Sequence, residues 1–202
     1  MTVGMKTPLL TAILSTFLAT TSPVAAFSTN CPAEIKATVA GIFQHGPFEM
    51  TSTMDGISGR SLTVGQIVPG EAMHSHTEVG GHTGELIIAD GRMWRRSNDG
   101  PWTEHPLEND YLAQLTHPPF FDALDVMVRP RCLGLTESDG RTFLGYRFGI
   151  DTPDITIDLT FYASPDSRLM ARVDAVIAIA GDESSSTALY RYDPTITIEP
   201  PM

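Results

Sequence analysis

Hydrophobic positions along the chain keep two different rhythms. Ile35, Val39, Ile42 and Phe43 recur at helical spacing, which predicts a helix with one buried apolar face. Pro32 suits its first turn, Asn30 stands where an N-cap belongs, and Gly46-Pro47 ends the segment.

Beyond residue 47 the rhythm changes to period two, broken at short intervals by turn residues. Pro69-Gly70 separates Leu62–Val68 from Glu71–Val79, and Gly80-Gly81 separates that run from His82–Ala89. Asp90-Gly91 then joins Ala89 to Arg92 as a two-residue hairpin. Asn98-Asp99-Gly100, Asp139-Gly140, Ser164-Pro165-Asp166 and Gly181–Ser186 punctuate the rest. The clearest alternation sets Ile155, Ile157, Leu159 and Phe161 against Thr156, Asp158 and Thr160, the mark of a strand with one apolar and one wet face. Thr195–Glu199 reads as a final strand stopped by Pro200-Pro201.

One stretch, Glu108 to Val128, breaks this rhythm. Asp110 caps a short helix bearing Leu112 and Leu115, and Pro118-Pro119 interrupts it, because proline lacks a donor and clashes with the preceding turn. A second turn runs through Phe120, Phe121, Leu124 and Met127. The pattern predicts an α+β fold of about ten strands. They form an antiparallel meander, strongly curved into an open, incomplete β-barrel around the N-terminal helix and the broken middle helix. Two helices cannot cover so long a flat sheet, so it must close or curl, and either leaves an apolar interior.

The first 26 residues stand apart. Lys6, an apolar run from Leu9 through Ala19, and the small residues of Val24-Ala25-Ala26 make up a secretory signal peptide cut after Ala26. The run is too short to span a bilayer comfortably, and charges interrupt every later apolar stretch, so the protein is not expected to be membrane-spanning. Removing 26 of the 202 residues leaves a single domain, 27–202, of 176. Loss of Lys6 takes the net charge from −11 to −12, which argues against nucleic acid and anionic membrane surfaces as partners. Export, to the periplasm or outside the cell, puts the two cysteines, Cys31 and Cys132, in an oxidising compartment, where they should pair and tie the amino-terminal segment to the middle of the sheet.

The stretch Gly59-Arg60, then Ile67-Val68-Pro69-Gly70-Glu71-Ala72-Met73, then Glu85-Leu86-Ile87-Ile88-Ala89-Asp90-Gly91-Arg92-Met93-Trp94 resembles the lipoprotein-carrier superfamily typified by LolA and LolB. Tyr190-Arg191-Tyr192-Asp193-Pro194 and Ile196-Thr197-Ile198 are similar to the closing strands of its members. The shared residues are structural turns. The resemblance implies a curved, incomplete barrel capped by helices, with a hydrophobic cavity for acyl chains.

The densest polar cluster is His74, His76, His82 and Glu85. His74 and His76 share a strand face, usable for zinc or copper. A two-residue turn at Gly80-Gly81 pairs Val79 with His82 and His76 with Glu85, which sends His82 to the other face. The next hairpin puts Arg96 beside Glu85, so a solvated face with cross-strand pairing outweighs a metal site of His74, His76 and Glu85. The same register gathers Met73, Leu86, Ile88 and Met93 on the opposite face, where a ligand cavity or an ordinary packed core is expected. Phe120 and Phe121 lie in the broken helix, a candidate lid. Trp94 and Trp102 fall on neighbouring strands. Ser58 lacks a nucleophile elbow, no carboxylate pair stands out, and no glycine-rich phosphate loop precedes a helix.

The reading is therefore an exported, non-enzymatic binding protein that needs no cofactor and holds a lipid acyl chain, another apolar small molecule or a lipidated protein. The alternatives are an envelope structural or interaction protein with a filled core, and a weak metal binder through His74 and His76.

Overall fold

A computed structural model describes residues 30–57, 59–107 and 124–201. The expected signal peptide, Phe120, Phe121 and most of the expected interrupted helix lie outside the described residues.

The helix forms as its pattern requires. Helix α1 spans Cys31–Gln44, with proline in its first turn and Ile35, Val39 and Ile42 buried. Asn30 occupies the N-cap, but it caps through its backbone carbonyl, which accepts from the amides of Ala33 and Glu34, and not through its side chain. Eleven strands follow: β1 (Phe48–Gly56), β2 (Gly59–Val68), β3 (Ala72–Val79), β4 (His82–Ala89), β5 (Arg92–Ser97), β6 (Thr103–His105), β7 (Val128–Ser138), β8 (Arg141–Asp151), β9 (Ile155–Ala163), β10 (Met170–Ile179) and β11 (Asp182–Tyr192). A 3-10 turn, Leu124–Val126, precedes β7.

All eleven strands belong to one antiparallel sheet in the order β6-β5-β4-β3-β2-β1-β11-β10-β9-β8-β7. The sheet does not close, and β6 and β7 are its two edges. It consists of two meanders joined through their outer ends, because β1 pairs with β2 on one side and with β11 on the other. The turn chemistry explains the local hairpins. Asp90-Gly91, Asp139-Gly140 and Ala180-Gly181 each place two successive residues at positive φ, the backbone of a type I′ turn, whose twist matches that of the flanking strands.

Two expectations are corrected. The disulfide between Cys31 and Cys132 is present, with Cα atoms 5.6 Å apart, but it anchors α1 to the edge strand β7 and not to the middle of the sheet. The middle of the sequence lies at the sheet's edge because the first and last strands meet at its centre. Nor is Thr195–Glu199 a strand. After β11 the Asp193 carboxylate accepts from both the amide and the hydroxyl of Thr195, and Pro194 helps to turn the chain out of the ladder. Ile198 then packs against a small cluster of Ala72, Ile87, Ala89 and Trp94.

Alternation sorts the two faces. The inner face, toward α1, carries Phe48 and Met50 of β1, Ile67 of β2, Tyr146, Phe148 and Ile150 of β8, Leu159 and Phe161 of β9 and Ala175 of β10. Phe148 and Phe161 stack with centroids 5.2 Å apart. Ile35 and Val39 complete this core from the helix.

Candidate functional site: an apolar cavity beneath the helix

The inner face is not packed solid. A cavity of about 400 Å³ lies between α1 and the centre of the sheet. Val39, Ile42 and Phe43 form its helical wall. Phe48, Met50, Ile67 and Met73 supply it from β1 to β3, and Leu159, Phe161, Val173, Ala175, Ser186 and Tyr190 from β9 to β11. None of these described lining residues is charged. A void of this size falls in the range of small-ligand sites, which are mostly apolar with a few placed polar groups. Here those groups are the hydroxyls of Ser186 and Tyr190. Burial pushes the pKa of Tyr190 up to about 12, so it stays a neutral donor.

A second cavity of about 370 Å³ adjoins the first at the hairpin end of the sheet. Met54, which lines it, is the register partner of Ser186, which lines the first. Its rim is apolar and open to solvent: Ile57 is 81% exposed, Ile179 50%, Met54 40% and Val79 38%. Isolated exposed apolar residues are ordinary, but four around one opening form a patch of the kind that marks a binding surface.

Of the residues singled out from sequence, Met73 lines the main cavity. Leu86, Ile88 and Met93 share its face but pack with one another and with Leu107 in a neighbouring cluster, where Ile88 is fully buried. The interior volume thus lies closer to β1 and β11 than the hairpin pattern around residue 90 suggested. Phe48, Met50 and Tyr190 were missed, and Phe43 was read only as part of the helix's apolar face. Their signal was present in the alternation Phe48, Met50, Met54 and Tyr190, Tyr192, but nothing local shows that these two strands lie side by side.

The polar cluster lies on the outer face, in the expected register: Val79 pairs with His82, His76 with Glu85, and Glu85 with Arg96. Arg96 donates to Glu85 Oε1 from Nε at 2.9 Å and from a terminal nitrogen at 2.6 Å. His74 Nε2 lies 3.1 Å from the other carboxylate oxygen, and His76 Nδ1 3.6 Å from Oε1. The guanidinium of Arg96 also sits 4.7 Å above the Trp102 ring. Trp102 itself precedes β6 and is not on a strand. Burial works against the Glu85 charge, but the hydrogen bonds from Arg96 and His74 outweigh it and hold the carboxyl below its ordinary range. With both oxygens engaged, Glu85 is poorly placed as a ligand, and no group of three or more metal-ligating side chains occurs among the described residues.

No helix of the described residues is long and apolar enough to cross a membrane. No protein-family model matches the sequence, and no curated protein matches it. Solved structures do match in fold. The lipoprotein LppX of Mycobacterium tuberculosis aligns with a TM-score of 0.59 at 10% identity, over 84% of this chain and 98% of its own. LprF of Mycobacterium bovis aligns with a TM-score of 0.58 at 13% identity, over 87% of this chain and 98% of its own.

Proposed function

We propose that this protein is an exported carrier that holds a lipid acyl chain or a similar apolar ligand between α1 and the inner face of its sheet. The observation that carries this reading is a cavity whose described lining residues carry no charge, adjoined by an opening with an exposed apolar rim. Burying methylenes there yields about 0.8 kcal/mol each. The likeness in fold to the lipoprotein LppX and the resemblance to the LolA and LolB superfamily support the same reading. The signal segment, cut after Ala26, supplies the route out of the cell. Phe120 and Phe121 belong to the segment that links edge strands β6 and β7, a suitable place for a lid.

The test uses the mature protein and a fluorescent fatty acid. The wild type should take up the probe. Ser186→Trp, at the junction of the two cavities, should weaken uptake at least tenfold while the circular dichroism of the sheet is unchanged. Full uptake by a folded Ser186→Trp protein sinks the carrier reading. Native mass spectrometry of protein purified from its own host then identifies the cargo.

A further inference from the structure

Three arginines crowd one small pocket on the outer face of the sheet, in a chain whose net charge is −11. Phe148 belongs to the inner core, so its strand neighbours Arg147 and Gly149 face outward. Arg131 is the register partner of Arg147 and shares that face. Arg129 reaches the same place through a bulge in edge strand β7. Between the pairs Val128–Gly149 and Arg131–Arg147, two residues of β7 oppose one of β8. Bulges at sheet edges re-aim a side chain. Arg129 also has a φ of 54°, a backbone that glycine adopts freely and arginine does not. Its guanidinium lies across the bare backbone of Gly149, where a Cβ would stand 2.6 Å from Nη2.

The charges in this pocket do not balance. Asp151 accepts two hydrogen bonds from Arg129, at 2.9 and 3.2 Å. Asp158 is left to serve two arginines at the limit of ion pairing, 3.7 Å from Arg129 and 3.9 Å from Arg147. Arg131 has no acidic partner among the described residues, and like charges set opposite each other across a ladder repel. An uncharged polar residue at 131 would avoid that cost. Two facing cations beside a third, held by an unfavourable backbone, point to an anion that sits among them.

Size and shape narrow its chemistry. The pocket holds about 180 Å³. That is less than a small-ligand site of ~300 Å³ or more, yet several times the ~30 Å³ of one water. It suits a single oxyanion group and not a whole lipid. Guanidinium forks match the oxygens of phosphate in pairs.

We propose that Arg129, Arg131 and Arg147 form a binding site for a phosphate group, with Arg131 and Arg147 donating to its oxygens and Arg129 adding charge at its edge. The site lies on the face opposite the apolar cavity and stands whether or not that cavity carries lipid. Free phosphate and the phosphate of a lipid headgroup share this chemistry, and the test tells them apart.

The mature protein is titrated at constant ionic strength, set with sodium chloride, and the arginine Nε–H resonances are followed by NMR. The probes are inorganic phosphate and dimethyl phosphate, a phosphodiester like that of a lipid headgroup. At least one should bind saturably. Tighter binding of the diester assigns the site to a headgroup, and tighter binding of inorganic phosphate assigns it to the free ion. Arg131→Gln and Arg147→Gln should each weaken binding about threefold or more, as loss of one exposed charge pair gives. Arg168→Gln, in the turn between β9 and β10, removes the same charge and should leave affinity within about twofold. In phosphate-free buffer Arg131→Gln should keep or raise the Tm, because it relieves repulsion. Shifts that rise linearly without saturation for both probes overturn the site. So does unchanged affinity in a folded Arg131→Gln or Arg147→Gln protein, or an equal loss in Arg168→Gln, which would assign the binding to net charge alone.

Discussion

Phe48 shows how much one side chain can carry in this molecule. It is 2% exposed and touches Phe43 of the helix edge-on, with centroids 5.6 Å apart, while the two tyrosines of β11 flank it. Phe48→Ala should cost about 3–5 kcal/mol, read as a fall in the denaturant midpoint, because helix, first strand and last strand all lose the same contact. Glu85 makes the opposite kind of contribution, through charge and on the outer face. Its carboxyl titrates lower in the folded protein than in the unfolded chain. The stability it adds is therefore present above the unfolded value, near 4.5, and is lost as the pH falls through the folded one. Glu85→Gln should lower stability at pH 7 and flatten the loss on acidification below about pH 4.5, measured as Tm against pH. An unchanged acid limb in the variant would deny Glu85 that role. The pairing of Glu85 with His76 and Arg96 was legible from sequence, since a two-residue turn fixes register for the whole hairpin. The hydroxyl of Tyr192, buried without a hydrogen-bond partner among the described residues, was not, because alternation places a residue on a face and says nothing of what its tip meets.

At the level of elements, the disulfide ties the start of α1 covalently to edge strand β7. It closes a loop with a sequence separation of 101 residues, for which chain entropy gives roughly 4–5 kcal/mol. Replacing Cys31 and Cys132 together by alanine should therefore lower the unfolding free energy by about 2–5 kcal/mol, followed by urea denaturation. Because α1 forms one wall of the cavity, the variant should also release a bound fluorescent fatty acid faster than the wild type. The helix, its apolar stripe and the cysteine pair were all readable from the chain. So were the hairpins, whose turns carry their own residues, as Asp90-Gly91 and Asp139-Gly140 do. The run Thr195–Glu199 misled, because its alternation is that of a strand while Asp193, Pro194 and Thr195 commit the backbone to a turn. Its apolar residue still finds a use in Ile198, which covers the Trp94 cluster on the outer face.

For the whole molecule, the sequence pattern reached the architecture but not the strand pairing at its centre. Curvature followed from arithmetic, since a long one-sided sheet and few helices must curl. The pairing of β1 with β11 did not follow, because strands joined by no turn leave no local signal of their contact. That pairing decides where the cavity sits: Phe48 and Met50 meet Tyr190 and Ser186 only across it. It is also open to test. Thr51 and Leu189 are register partners in this ladder, and proline at Thr51 would remove a donor from the centre of the sheet. Thr51→Pro should abolish folding as judged by circular dichroism, whereas proline at Glu104 in edge strand β6 should be tolerated. The proposed export makes a further prediction: amino-terminal sequencing of the mature protein should begin at Phe27.

The meeting of first and last strands also governs time. Arg191 bonds Glu49 across 142 residues of sequence, and the amide of Asp193 donates to the carbonyl of Pro47. Loop closure over such a span must precede the contacts that reward it, which makes folding slow. Until β11 arrives, β1 and β10 each present a bare edge, the kind of surface on which chains aggregate. A protein that crosses a membrane amino terminus first would therefore remain unfolded for the whole of its passage. It would become a carrier only when its last strand had emerged, and a chain cut short before residue 182 should be found as aggregate or degraded and not as a smaller, weaker binder.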